Sequence, residues 1–309
     1  MPSTIDVHQH LWPAPLLQAL SARRDPPRLT RHRTGWTLRA PGEAEAPIDL
    51  RDHDPVRRAE LVNADGLDLA LIAPSTPIGI ESLAPAEAEP LLEAYHEGVA
   101  ALPQEFGAWA AVNLTEPDAP ALERRLQAGF VGACVPAGAL TSPAGYDRLG
   151  PVLETLERRR RPLFIHPGPP QGAVLAGAPD WWSALTDYVA SMQAAWHAMA
   201  VWGRRAHPDL RVCFAMLAGL APLQSERLAA RGGHTSSDPG IFLDTSSYGT
   251  RAIDAVIREV GADRLVYGSD RPVIHAAEPA LGEAVRSALR GRNPELLLST
   301  TINTRRVCA

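Results

Sequence analysis

Three short stretches of this chain carry side chains able to hold a metal ion. Near the start runs Ile5-Asp6-Val7-His8-Gln9-His10-Leu11-Trp12. Residues i and i+2 of a strand share a face, so two imidazoles at this spacing, at the end of a short apolar strand, can converge on one ion. The triplet is weak by itself and gains weight from two stretches further along the chain. Phe164-Ile165-His166-Pro167-Gly168 ends a second apolar run, and Tyr267-Gly268-Ser269-Asp270-Arg271-Pro272 ends a third. His8, His10, His166 and Asp270 together offer three nitrogens and one oxygen, with room left for water. That set suits one divalent metal ion, Zn²⁺ first, with Mn²⁺, Fe²⁺ or Co²⁺ compatible with the same ligands.

Such a set works only if the fold brings distant strand ends to one place. Apolar runs at 4–8, 67–73, 107–114, 131–137, 162–166, 210–217, 241–245 and 265–268 read as strands. Amphipathic stretches at 55–64, 85–101, 118–128, 147–160, 183–205, 221–230, 251–260 and 279–290 read as helices, several opening with Pro or Asp. Alternation of near-continuous apolar strands with helices predicts an α/β fold with a parallel sheet covered by helices. Eight repeats in 309 residues predict a closed (β/α)₈ barrel in a single domain spanning the chain, with a doubly wound open sheet as the alternative. Two segments break the repeat. Residues 11–54, Pro- and Arg-rich with a β-like Gly35–Arg39, are expected to form a cap after the first strand. Pro167–Trp182, rich in Gly and Pro, is expected to form a lid after the fifth. Both would stand at the barrel end where the candidate ligands lie, and Trp12, Trp36, Trp181 and Trp182 favour ordered structure in them.

Composition removes several classes of function. A net charge of −5 argues against nucleic acid or an anionic membrane as partner, and no apolar run reaches the length of a span. Cys134, Cys213 and Cys308 form no disulfide framework or zinc knuckle, which fits a cytoplasmic setting. All 30 basic residues are Arg, so lysine Schiff bases, lysine general bases and a carbamylated lysine bridging two metals are excluded.

With these residues in place the chain resembles the amidohydrolase superfamily, in its amidohydrolase 2 branch, which includes aminocarboxymuconate-semialdehyde decarboxylase-like enzymes. The resemblance rests on His8-x-His10, His166-Pro167-Gly168 and Gly268-Ser269-Asp270-x-Pro272. Gly129–Gly132, Leu243-Asp244-Thr245-Ser246 and Asn303-Thr304-Arg305-Arg306 extend it over essentially the whole length. It implies that His8, His10, His166 and Asp270 bind one divalent metal, and that the barrel pairs as a homodimer. Strand six departs from the pattern. Phe214-Ala215-Met216-Leu217-Ala218-Gly219 puts Met216 where the resemblance places a histidine that activates water or protonates substrate. A thioether exchanges no proton at neutral pH, and general acid–base help is worth roughly 10²–10⁴-fold in rate.

Asp270 and His275 are therefore the catalytic candidates, with His197 behind them. His32, His53, His96, His207 and His234 have no motif context. Arg251 and Arg271 could pair with an acidic or phenolic substrate in bidentate fashion, though a surface role suits both. Ser246 and Tyr248 are candidate donors to substrate, Trp12 a candidate stacking surface, and Met216 a candidate wall. The leading expectation is hydrolysis of a carbonyl, amide or ester bond in a small aromatic or carboxylated molecule, the metal acting as Lewis acid. The alternatives are metal-assisted cyclisation or dehydration in specialised metabolism, and non-oxidative decarboxylation of an aromatic acid. A non-catalytic binding protein is the reading from another class.

Overall fold

The computed structural model describes residues 3–170, 177–233, 238–274 and 279–300. Positions 171–176 of the expected lid and the 303–306 motif lie outside the described residues. The first barrel strand is β1 (Ile5–Gln9), buried along its whole length. An insertion follows: helix α1 (Ala14–Ala22) and an antiparallel sheet of β2 (Arg28–His32), β3 (Gly35–Arg39) and β4 (Ala46–Ile48). The repeat then runs α2 (Pro55–Ala64), β5 (Leu69–Ile72), α3 (Pro85–Ala100), and a third barrel strand in two pieces, β6 (Phe106–Ala108) and β7 (Ala110–Ala111). It continues through α4 (Ala119–Gln127), β8 (Ala133–Pro136), α5 (Pro143–Arg159) and β9 (Leu163–His166). Next come α6 (Trp182–Leu185), α7 (Asp187–Ala198), α8 (Arg204–Ala206), β10 (Val212–Phe214), α9 (Ser225–Ala229) and β11 (Ile241–Asp244). The last elements are α10 (Thr250–Val260), β12 (Leu265–Val266), α11 (Glu283–Ser287) and α12 (Asn293–Leu298).

All pairings among the barrel strands are parallel. The seam between β12 and β1 is closed by Val7 N–H donating to Tyr267 O (2.9 Å) and Asp270 N–H to His8 O (2.9 Å), with a parallel bridge between Gln9 and Arg271. Closure leaves no strand edge and sets the ends of strands one, five and eight around one mouth. Trp109, between β6 and β7, fills the barrel: its indole N–H donates to Val7 O (3.0 Å), and its ring stacks on Phe164 at 5.1 Å. Leu71, Ile72, Leu163, Phe164 and Phe214 are buried on the two faces of their strands, each side chain contributing about 1.5–3 kcal/mol by burial.

Local signals in the sequence set the helix starts. Asp54 accepts from the N–H groups of Val56 and Arg57 with Pro55 in the first turn, and Asp118 caps α4 through Ala121 N–H. Strand six is shorter than the expected 210–217. It stops at Phe214, and Met216, Leu217, Ala218, Gly219 and Leu220 take φ values of 44°, 49°, 52°, 61° and 64°. The cause is a polar pull from strand seven, since Met216 N–H donates to Asp244 Oδ1 at 2.9 Å. Among the described residues no helix is long and apolar enough to cross a membrane.

Candidate metal centre

His8 lies within β1, His10 one residue past its end, His166 ends β9 and Asp270 follows β12. One ligand atom from each lies within 4.8 Å of the others. His8 Nε2 and His10 Nε2 are 3.1 Å apart, and Asp270 Oδ1 stands 3.2 Å from His10 Nε2 and 3.5 Å from His8 Nε2. All four residues are buried, none more than 8% exposed. Asp270 holds φ at 57°, left-handed backbone that a non-glycine residue adopts at a cost.

The surroundings fix which nitrogen of each imidazole faces inward. His8 Nδ1–H donates to Asp244 Oδ2 (2.7 Å) and His10 Nδ1–H to Ala73 O (3.0 Å). His166 Nδ1 lies 2.8 Å from Thr76 Oγ1 and 2.9 Å from Pro167 O, while the Thr76 hydroxyl donates to Pro167 O. With every Nδ1 committed as donor, three Nε2 lone pairs and a carboxylate oxygen face one another within 4.8 Å. Asp270 Oδ1 is buried and accepts no hydrogen bond. Lone pairs and negative charge converging without donors between them repel, and a divalent cation resolves that repulsion. The donor set and its outer partners therefore fit one divalent metal ion.

The electrostatics agree. Burial lowers the His8 pKa, but the Asp244 and Asp270 carboxylates outweigh it and raise the group to about 9. A field that favours a proton there favours a dication more. Burial and the neighbouring His8 and His10 push His166 well below its ordinary value, keeping it neutral with a lone pair to give. Burial opposes the Asp270 charge, but the three histidines together lower its pKa and hold it as carboxylate.

A buried frame holds strand one in place. Asp6 Oδ1 accepts from His8 N–H (3.0 Å) and Ser269 N–H (3.1 Å), and Oδ2 from Gln9 Nε2 (2.8 Å). Arg58 on α2 donates to Gln9 Oε1 (2.5 Å) and to His10 O (2.8 Å). One carboxylate, one amide and one guanidinium thus lock the backbone that carries both histidines.

The other expected site residues divide. Met216 is buried, and its N–H approaches both Asp244 Oδ1 and Ser246 Oγ. The Ser246 hydroxyl and N–H both go to Asp244 Oδ1 (2.5 and 2.9 Å), so Ser246 supports Asp244. Trp12 stacks on His53 at 4.8 Å and donates its indole N–H to Ser75 Oγ (2.8 Å). Arg271 points to an ion pair with Asp65 (2.6 Å), and Arg251 is exposed on the first turn of α10. Tyr248 lines a cleft with Thr245, Ser247 and Arg271 beside the strand-eight loop. His275 lies outside the described residues, and His197 sits half-buried on α7. Sequence reasoning misses Asp244 as a working residue. The available signal is an aspartate ending a fully buried strand, a position that demands partners.

Comparison with known proteins places this geometry. A family model described as Amidohydrolase matches residues 5–296. A gamma-resorcylate decarboxylase of a Polaromonas species is 24% identical over 290 residues, covering 81% of this chain and 87% of that protein. Among solved structures, the apo form of Metarhizium anisopliae IDCase has a TM-score of 0.78 at 17% identity, over 96% of this chain and 97% of that one. A 5-carboxyvanillate decarboxylase from Novosphingobium aromaticivorans, complexed with manganese and 4-hydroxy-3-methoxy-5-nitrobenzoic acid, has a TM-score of 0.74 at 17% identity, over 96% of each chain.

Proposed function

This chain belongs to the amidohydrolase family, and from that premise we propose that it is a metal-dependent lyase releasing CO₂ from a small aromatic carboxylic acid without an oxidant. One observation carries the choice of reaction. The turn after strand six offers Met216, a thioether, at the edge of a site whose other polar groups hold the ligands in place. Hydrolysis needs a base to activate water and a proton for the leaving group. Decarboxylation needs no activated water and no proton on a leaving group, only one proton at the ring carbon. The C–C bond to the carboxylate breaks, its electron pair forms the new C–H bond, and one proton enters. The names of the curated relative and of the manganese-bound neighbour support this reading over hydrolysis, which was the leading expectation from sequence.

His8, His10, His166 and Asp270 would hold the ion, which would supply Lewis acidity toward an oxygen of the substrate. Manganese and zinc both suit the ligands, and manganese has the support of the solved neighbour. Asp244 keeps the His8 lone pair inward, Thr76 and Pro167 O do the same for His166, and Asp6 with Arg58 fixes the strand below. Asp270 rests as carboxylate, so as the proposed proton carrier it would first take a proton from water or from the acid group of the substrate and then pass it to the ring carbon, with His275 held as a second candidate. The reading includes one domain over 1–309, residues 11–54 as its cap, a homodimer and a cytoplasmic setting; the buried free thiols of Cys134 and Cys213 are compatible with the last.

The test is product analysis. Manganese- and zinc-loaded protein is incubated with hydroxybenzoates, aryl amides and aryl lactones, with headspace CO₂ and NMR of the products as readouts. CO₂ and the matching phenol from a hydroxybenzoate are expected. Hydrolysed amide or lactone with no CO₂ would overturn the reading.

A further inference from the structure

With Met216 in the turn after strand six, whatever else stands on that side of the metal centre decides which ligands the site accepts. Helix α7 packs on the Met216–Leu220 turn: Gln193 Nε2 donates to Gly219 O at 2.8 Å, and a Cβ at Gly219 would lie 2.8 Å from Val189 O. The residue before Val189 is Tyr188, half-buried against the core. Its hydroxyl donates to Glu43 Oε1 at 2.5 Å, a bond spanning 145 positions of sequence.

Glu43 stands at the tip of the hairpin between β3 and β4. The same tip reaches the segment after barrel strand two at Gly79, where a Cβ would meet Pro169 Cγ at 3.3 Å and Pro41 Cγ at 3.7 Å. That segment carries Thr76, the partner of His166. The insertion therefore converges with the segments after strands two and five beside a metal ligand, and Glu43 with Tyr188 joins it to α7. Burial and then the Glu43 bond and charge push the Tyr188 phenol far up, which keeps it neutral.

A neutral phenol whose single proton is committed to a carboxylate has only lone pairs left to offer. We infer that Tyr188, fixed by Glu43, is a specificity-determining residue that accepts a hydrogen bond from substrate and selects an aromatic acid bearing a hydroxyl or amino donor on the ring edge facing the strand-six turn. This rests on the metal centre being the substrate site, not on what becomes of the carboxylate. A ring with an acceptor alone at that edge meets lone pairs on Tyr188 and loses the bond.

The test measures dissociation constants of manganese-loaded protein for benzoate and for the hydroxy- and methoxybenzoates substituted at positions 2, 3 and 4. At one ring position the wild type is expected to bind the hydroxy compound roughly fivefold to tenfold tighter than its methoxy analogue, the scale of one neutral hydrogen bond. Tyr188→Phe collapses that ratio to within about twofold. Glu43→Gln narrows it as well, because the amide can donate to the phenol oxygen and free its proton. No preference in the wild type, or a ratio unchanged in the variants, overturns the inference. Should Tyr188→Phe fail to fold, Glu43→Gln decides alone. Collapse of the ratio without CO₂ release from any compound would sink decarboxylation and leave Tyr188 in its role. Release with ratios untouched by the variants would do the reverse.

Discussion

Asp244 shows how much a single carboxylate can decide. One oxygen takes the His8 Nδ1–H at 2.7 Å, and the other takes three donors, from Met216 N, Ser246 N and Ser246 Oγ. Its two oxygens thus meet four donors from His8, Met216 and Ser246. In Asp244→Asn the amide N–H₂ must face a donor whichever way it turns. Metal affinity is expected to fall about 10- to 100-fold, the usual cost of losing such an outer partner, as read by chelator competition. Asp244→Asn that binds metal as the wild type does would show that His8 needs no carboxylate. The four ligands were legible because each lies near the C-terminal end of a strand in a sequence pattern that can be read locally. Asp244 lies in the motif Leu243–Ser246, yet its role was not legible there, because its partners His8 and Met216 are distant in sequence and meet only in the closed barrel.

Among the elements, the strand-six turn carries the sharpest geometric demand. Five consecutive residues hold positive φ, three of them Leu or Ala inside the turn, where a side chain costs roughly 1–2 kcal/mol each. The turn persists because α7 clamps it through Gln193 and through the close approach of Val189. Gly219→Ala would put a Cβ 2.8 Å from Val189 O. Destabilisation of about 1–3 kcal/mol is expected from that overlap, seen as a lower midpoint in denaturant. A midpoint equal to the wild type would mean that α7 yields easily. Most strands and helices were readable from apolar periodicity and from Asp and Pro at helix starts. This turn was not: its residues are apolar, so 210–217 read as one strand. Nothing local announces that Asp244 captures the Met216 N–H. Glu43 and Tyr188 were hidden for the same reason, since neither lies in a motif and only the fold joins them.

For the whole molecule, buried neutral histidines set a limit in acid. Burial, with Arg58 nearby, lowers His53 to about 4, where its Nδ1 accepts from Trp12 N–H. Burial and Arg125 lower His96 to about 3, where its Nε2 accepts from Ala111 N–H. Both folded values lie below the unfolded one near 6.5. Their contribution is therefore complete above that pH and is lost as pH falls from about 6.5 toward 4 and 3, a few kcal/mol in all. Glu81 works in the opposite sense. Burial raises it to about 7, and its Oε2 has no hydrogen-bond partner. Its contribution is present below about 4.5 and disappears as pH rises through 7. Denaturant titrations across pH are expected to show the His96→Gln variant less acid-sensitive than the wild type, and Glu81→Gln less sensitive between pH 5 and 8. Unchanged slopes would mean that these groups ionise without cost in the folded protein.

The barrel closes so that strands one, five and eight deliver His8, His10, His166 and Asp270 to a single point, and everything proposed for the chemistry depends on a metal held there. Elemental analysis of protein purified without added metal, beside an Asp270→Ala, His166→Ala double variant, tests this most directly. About one equivalent of a divalent transition metal per chain is expected in the parent, with none in the variant. A parent that holds no metal even after incubation with manganese and zinc, or a double variant that retains a full equivalent, would contradict the assignment.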